Sequence, residues 1–190
     1  MAQTTQKTTA ESPARSGLDE LISFLHATRG RPSVEALGEK IRSLDITFDD
    51  VADAAGFGAT RYQRNLLHHA GHFHVLVLCW RAGQRSPIHD HRGSVCGVRV
   101  LRGTATETVF ERAPGGLKAA YSRDLPTGEV VVSRDSDVHQ MSNLQGEGQD
   151  LVTLHVYAPP LIHMNQYSIT DPTPQPFDDP IVGHIDGSGI

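Results

Sequence analysis

Apolar and polar positions divide the chain into two regimes. Leu18, Leu21, Ile22, Phe24 and Leu25 recur at helical spacing and stop at Gly30, ahead of Pro32. A second helix is predicted after Ser33, a suitable N-cap, with Val34, Leu37, Ile41 and Leu44 on one face. A third, short helix over residues 47–55 is expected to close at Gly56. After Gly58 the pattern shortens to that of strands and turns. Strands are expected over 62–67, 74–80, 95–101, 104–110, 117–125, 129–133, 139–143, 151–157 and 164–169, with a tight turn at Arg102-Gly103 and another at Pro114-Gly115-Gly116. Short strands at regular intervals predict a mainly β fold, an antiparallel barrel or double-sheet jelly roll.

This pattern implies one domain of 190 residues. Residues 1–16 are polar and expected to be disordered. Residues 17–58 form an N-terminal helical segment on the barrel, and residues 59–170 form the barrel itself. Four prolines and scattered glycines make 171–190 an expected irregular C-terminal tail. The net charge of −5 gives no electrostatic reason for nucleic acid or an anionic membrane as partner. The longest apolar run, 75–80, is far too short to span a bilayer, and the N-terminal stretch has no apolar signal core. With only two cysteines, Cys79 and Cys96, a disulfide framework is not expected, and a cytoplasmic monomer is the simplest expectation.

The chemistry gathers at Gly83 to Cys96. His89 and His91, two residues apart in an extended segment, project from one face. A third histidine, His139, precedes Asn143 by four residues. The spacing resembles the two motifs of the cupin superfamily: Gly83, His89, His91 and Gly103 fill the first, and His139 and Asn143 the second. Cys96 stands where the first motif usually has glutamate, and Arg134 and Ser136 replace the usual proline and glycine of the second. A triad of neutral imidazoles leaves a divalent ion's charge uncompensated, which favours an anionic ligand such as a thiolate. Imidazoles alone do not choose among Fe, Cu, Ni and Zn. The run containing His68, His69, His72 and His74 reads instead as surface turn and strand positions.

With the triad placed, residues 60–170 resemble the cysteine dioxygenase family, the thiol dioxygenases of that superfamily. The segments carrying the likeness are Tyr62-Gln63-Arg64-Asn65-Leu66, Leu76 to Trp80, His89-Asp90-His91 with Cys96, His139 with Asn143, and Leu154 to Pro160. The resemblance implies one mononuclear Fe(II) per chain, held by His89, His91 and His139, with no organic cofactor. It also implies oxidation of L-cysteine to cysteine sulfinate with both atoms of O2. Arg64 is a fixed-charge fork suited to a carboxylate, and the resemblance makes it the grip on the substrate carboxylate. A glutamine at the equivalent place marks relatives preferring 3-mercaptopropionate, and Gln63 is next door; the frame Tyr-x-Arg-Asn-Leu favours Arg64.

Thr153, His155 and Tyr157 alternate along one strand face, the pattern for a hydrogen-bonded relay. The resemblance makes Tyr157 the active-site phenol, positioned by His155, with Cys96 its partner for a thioether crosslink. Tyr62 and Trp80 are expected as pocket walls, Cys79 as core, and Ala158–Pro159 as a cis bond. Two alternatives stay open: a related dioxygenase acting on 3-mercaptopropionate or mercaptosuccinate, and a non-catalytic metal- or ligand-binding cupin. A zinc-dependent cupin isomerase is disfavoured, because such sites usually keep their glutamate.

Overall fold

The computed structural model describes residues 16–171 and 173–183. The disorder expected for the N-terminus concerns residues 1–15, which lie outside this range. Ser16 instead caps helix α1 (Gly17–Thr28), its hydroxyl accepting from Asp19 N at 3.2 Å. Ser33 caps α2 (Val34–Ser43) in the same way, accepting from Ala36 N at 3.1 Å. The third predicted helix is a 3-10 turn, Asp49–Ala54. Its entry is fixed by Asp50, whose carboxylate takes hydrogen bonds from the backbone and hydroxyl of Thr47.

The strands follow in chain order. They are β1 (Gln63–Ala70), β2 (Phe73–Trp80), β3 (Ile88–His89), β4 (Val95–Arg102), β5 (Thr104–Ala113) and β6 (Gly116–Pro126). Then come β7 (Val130–Ser133), β8 (Val138–Ser142), β9 (Leu151–Ala158), β10 (His163–Tyr167), β11 (Gln175–Asp178) and β12 (Ile181–Gly183). They form two six-stranded sheets, ordered β12-β1-β2-β9-β4-β7 and β11-β10-β3-β8-β5-β6. The fold is therefore the mainly β, cupin-type double-sheet barrel the pattern predicts, with one difference. Where an irregular tail is expected, β11 joins the second sheet beside β10 and β12 runs parallel to β1 in the first. Strands this short, punctuated by proline, leave no period-two signature to read.

The continuous burial of β2 and β9 follows from their place in the middle of the first sheet. Phe73, Val75, Val77 and Cys79, with Val152, Leu154 and Val156, face the helices and join Leu21, Leu25, Leu37 and Ile41. The alternate residues, Leu76, Leu78 and Trp80 with Leu151 and Tyr157, face the barrel interior. The outer layer depends on a close approach at Gly97. A Cβ there would stand 2.5 Å from Ile41 Cδ1 and 3.0 Å from Leu37 Cδ2, so a larger residue would have to push the α2 side chains aside for the helix to lie this close on β4. Arg99, on the same strand, donates through Nη1 to the carbonyls of Ile41 and Leu44 and closes the C-terminus of α2. Among the described residues no helix is long and apolar enough to cross a membrane.

Candidate active site and metal centre

His89 ends β3 and lies directly opposite His139 of β8. His91 follows in a turn closed by Ser94 N donating to His91 O, where Gly93 takes a φ of 94° that favours glycine. All three imidazoles are buried, and their ligand nitrogens lie within 4.8 Å of one another. Each Nδ1 faces an acceptor: Pro87 O at 3.0 Å for His89, Arg134 O at 3.4 Å for His91, and Glu107 Oε1 at 2.8 Å for His139. An acceptor at Nδ1 fixes the proton there and leaves the Nε2 lone pair free for a metal. His91 Nε2 is fully buried and has no hydrogen-bond partner, an arrangement costly in an apolar interior unless a ligand occupies it. The triad thus fits a divalent metal on its own geometry. Desolvation, reinforced by the neighbouring His139, holds the pKa of His89 down to about 3 and that of His91 well below its ordinary value, so both are neutral ligands at physiological pH.

Two buried carboxylates missed by the sequence reading hold this triad in place. Glu107 of β5 lies opposite Arg123 of β6 and receives hydrogen bonds from that arginine and from His139. Burial alone would raise its pKa, but the hydrogen bond from His139, with the hydrogen bond and charge of Arg123, outweighs it and keeps the carboxyl below its ordinary range. Asp90, between the two histidines in sequence, points the other way. It takes hydrogen bonds from the backbone and amide of Asn165 and from the Tyr167 hydroxyl, which pin the His89–His91 segment to β10. A charged residue at an inward-facing position of β5, in phase with buried Ala105, was the available signal for Glu107. Asn143 is fully buried and donates to the carbonyls of Trp80 and Gln149, so its place in the motif is structural.

Beside the triad lies a polar chain along β9. Trp80 Nε1 donates to Thr153 Oγ1 at 3.0 Å, Thr153 Oγ1 meets His155 Nε2 at 2.9 Å, and His155 Nδ1 meets the Tyr157 hydroxyl at 3.0 Å. Thr153 has one hydroxyl proton, and its other acceptor, Leu78 O, is 3.5 Å away. The shorter contact directs that proton to His155 Nε2. His155 Nδ1–H then donates to Tyr157, whose own O–H is free to donate toward Cys96 and the triad. The Tyr157 ring centroid is 6.2 Å from that of His91. Desolvation, with the Cys96 thiol next to it, raises the Tyr157 phenol well above its ordinary pKa, and desolvation pushes up the Cys96 thiol as well. Both keep their protons.

A buried cation stands over the Tyr157 ring. Arg64 is buried, with its guanidinium carbon 5.7 Å from the Tyr157 ring centroid. Gln63 points the other way, its amide on Asn65 at 2.6 Å. Tyr62 stacks on Trp80 at a centroid distance of 4.1 Å.

Comparison with known proteins agrees with this geometry. Residues 10–170 match the family model described as cysteine dioxygenase type I. Cysteine dioxygenase type 1 of Danio rerio is 32% identical over 151 residues, covering 75% of this chain and 75% of that protein. The Homo sapiens protein of the same name is 30% identical over 152 residues, 75% of this chain and 74% of that one. The chain belongs to the cysteine dioxygenase type I family. It is an enzyme of the dioxygenase class, which implies a small-molecule substrate and O2. A solved structure from Thermus thermophilus shares the fold alone, with a TM-score of 0.50 and 18% identity over 58% of this chain and 95% of that one.

The sequence-predicted residues of this cysteine dioxygenase family member therefore converge, with His89, His91, His139, Cys96, His155, Tyr157, Arg64, Tyr62 and Trp80 all buried in or against one barrel interior. Ala158–Pro159 is cis, as the resemblance implied. The second histidine cluster keeps its expected strand and turn positions, with His69 exposed and His68 and His72 half-buried, and departs from a surface placement only at His74. His74 is buried against His69 at 2.7 Å, and His68 contacts His26 of α1 at 3.3 Å, because α1 covers this edge of the sheet. Among the described residues only the His89, His91 and His139 group offers three metal ligands together.

Proposed function

We propose that the protein is an Fe(II)-dependent cysteine dioxygenase that converts L-cysteine and O2 to cysteine sulfinate. The observation that carries this reading is an all-imidazole triad and a buried arginine that both stand beside one phenol, Tyr157. His89, His91 and His139 would hold one iron per chain through Nε2, and the iron would supply thiol deprotonation and oxygen chemistry. The three neutral ligands leave an anionic thiolate as the natural further ligand. Arg64 gives the substrate carboxylate a fixed charge, with Tyr62 beside it. Tyr157, held protonated, offers an O–H to the reacting region, and His155 and Thr153 keep that O–H turned inward. Buried walls, including Trp80, exclude bulk water. Sulfur loses four electrons and O2 gains four, with both oxygen atoms in the sulfinate, so no external reductant is required.

The orientation of Arg64, rather than Gln63, toward the interior favours cysteine over 3-mercaptopropionate or mercaptosuccinate. The net negative charge and the two buried cysteines fit a cytoplasmic monomer acting on a free thiol. The test is oxygen uptake with product identification on iron-reconstituted protein, across L-cysteine, 3-mercaptopropionate and mercaptosuccinate. Stoichiometric cysteine sulfinate with L-cysteine as best substrate is expected. Iron-loaded protein that consumes no oxygen with any of them would instead be a non-catalytic metal-binding cupin.

A further inference from the structure

Asp179 stands where the C-terminal segment passes from one sheet to the other. On one side β11 is hydrogen-bonded to β10, and on the other β12 runs along β1 with Ile181 opposite Arg64. Only Asp179 and Pro180 separate the two strands. A residue anchored on both sides is a fixed wall and not a swinging strap. Its side chain is 1% exposed. The carboxylate takes hydrogen bonds from the Tyr62 hydroxyl and the Arg61 guanidinium, and its Oδ2 lies 3.9 Å from Arg64 Nε. Its backbone carbonyl accepts from Arg64 Nη1 at 2.6 Å, while Leu161 O takes Arg64 Nη2 at 3.2 Å.

These contacts account for part of the donor set of Arg64. A guanidinium has five N–H groups. With one Nη1 proton and one Nη2 proton committed to carbonyls and Nε facing Asp179, one N–H on each Nη has no partner among the described residues. Two guanidinium N–H groups can together hold the two oxygens of a carboxylate. Arg61 and Arg64 set two cations against the single anion of Asp179, leaving one positive charge for a substrate anion. The match to the family model ends at residue 170, and Asp179 lies beyond it.

We propose that Asp179 is the positioning residue of the substrate-carboxylate site, orienting the Tyr62 hydroxyl and presenting the free edge of Arg64 to a thiol bearing one carboxylate. This rests on the functional reading above. It acts on substrate binding through Tyr62 and Arg64, and has no contact with the histidine triad.

The test uses the full-length, iron-loaded protein and L-cysteine, with steady-state oxygen uptake for Asp179→Ala, the isosteric Asp179→Asn, Tyr62→Phe and the Tyr62→Phe/Asp179→Ala pair. Asp179→Ala should raise KM about ten- to a hundredfold, the effect of losing a charge-assisted contact, and change kcat far less. Asp179→Asn, which keeps an acceptor for Tyr62, should show a smaller rise, and it carries the test if the alanine variant fails to fold. The double variant should fall short of the product of the two single effects, because both act on one hydrogen-bonded unit. An unchanged or lowered KM in both Asp179 variants, or single effects that multiply independently, would overturn the inference while leaving the enzyme reading intact. Wild-type protein inert toward every thiol would overturn both.

Discussion

Cys96 and Tyr157 stand directly opposite each other across β4 and β9, both buried on the interior face of the sheet. Opposed residues on neighbouring strands bring their side chains close without backbone movement, so the register alone sets up the thioether that the family resemblance implies. Its formation removes one hydrogen from each partner, with oxygen as acceptor. Protein turned over aerobically with iron and cysteine should contain a fraction lighter by two hydrogens, seen by intact-mass spectrometry and mapped to a Cys96–Tyr157 peptide. Cys96→Ser should lack that fraction yet retain measurable turnover. A mass loss that persists in Cys96→Ser would place the modification elsewhere.

Glu107 holds His139 through Nδ1 and is itself held by Arg123. Replacing the carboxylate with an amide keeps the shape but weakens the charge-assisted bond that orients the imidazole. Glu107→Gln is expected to reduce iron affinity about 10–100-fold, the usual consequence of losing an outer partner of a ligating histidine. Competition against a chelator of known affinity measures it directly. Equal metal retention in wild type and variant would assign Glu107 to fold support alone.

The contrast between Glu107 and His139 shows how far the sequence could be read. The histidines occur in two motifs whose spacing is set by local turns, so their convergence was legible before any coordinates. So was the relay, because Thr153, His155 and Tyr157 share one strand face. Glu107 and Asp179 were not legible, for different reasons. Glu107 reaches His139 across a strand pairing whose register depends on residues far apart in sequence. Asp179 sits between two very short strands in a proline-rich stretch, where no periodicity marks a buried position. Asp90 was hidden in a different way, lying between two ligands while serving the strand behind them.

The buried relay makes a pH prediction. Desolvation, with Arg64 adding repulsion, depresses the pKa of His155 well below its ordinary 6.5. Desolvation and then the charge of His69 bring His74 to about 4. Between those values and 6.5 the unfolded chain binds protons that the folded protein refuses, so stability rises with pH. It should be flat above about pH 6.5 and fall as pH drops below it, by at most about 1.4 kcal/mol per unit for a fully buried histidine and less for His74, nearer the surface. Thermal unfolding of the metal-free protein from pH 7.5 to 5 tests this. His155→Asn should reduce the slope by one histidine's share, since His89, His91 and His74 are depressed as well, and an unchanged slope would assign the whole effect to those groups.

Gly97 is the contact through which α2 lies on β4. Gly97→Val places carbon where Ile41 and Leu37 already stand, and such overpacking typically costs about 1–3 kcal/mol. Denaturant melts should show that loss, with the iron-binding stoichiometry unchanged, because the helical layer is on the opposite face of the sheet from the triad. Wild-type stability in the variant would mean that α2 can tilt away from the sheet at no cost.

The choice of thiol turns on one side chain. Arg64 is buried with its guanidinium over the Tyr157 ring, while Gln63 lies on the other face of β1 against Asn65. Arg64→Gln removes a fixed positive charge from the carboxylate end of the site but leaves the triad, Glu107 and the relay in place. L-cysteine should lose about ten- to a hundredfold in kcat/KM, the worth of a charge-assisted contact. 3-Mercaptopropionate should lose less, since a glutamine at this place in relatives goes with that substrate. The comparison therefore rests on the ratio of the two thiols and not on either rate alone. Damage to the metal centre lowers both equally and leaves the ratio where it was, whereas loss of the carboxylate grip shifts it toward 3-mercaptopropionate. Gln63→Ala, on the opposite face, should leave the ratio unchanged. If Gln63→Ala moves it and Arg64→Gln does not, the assignment of Arg64 to the substrate is wrong.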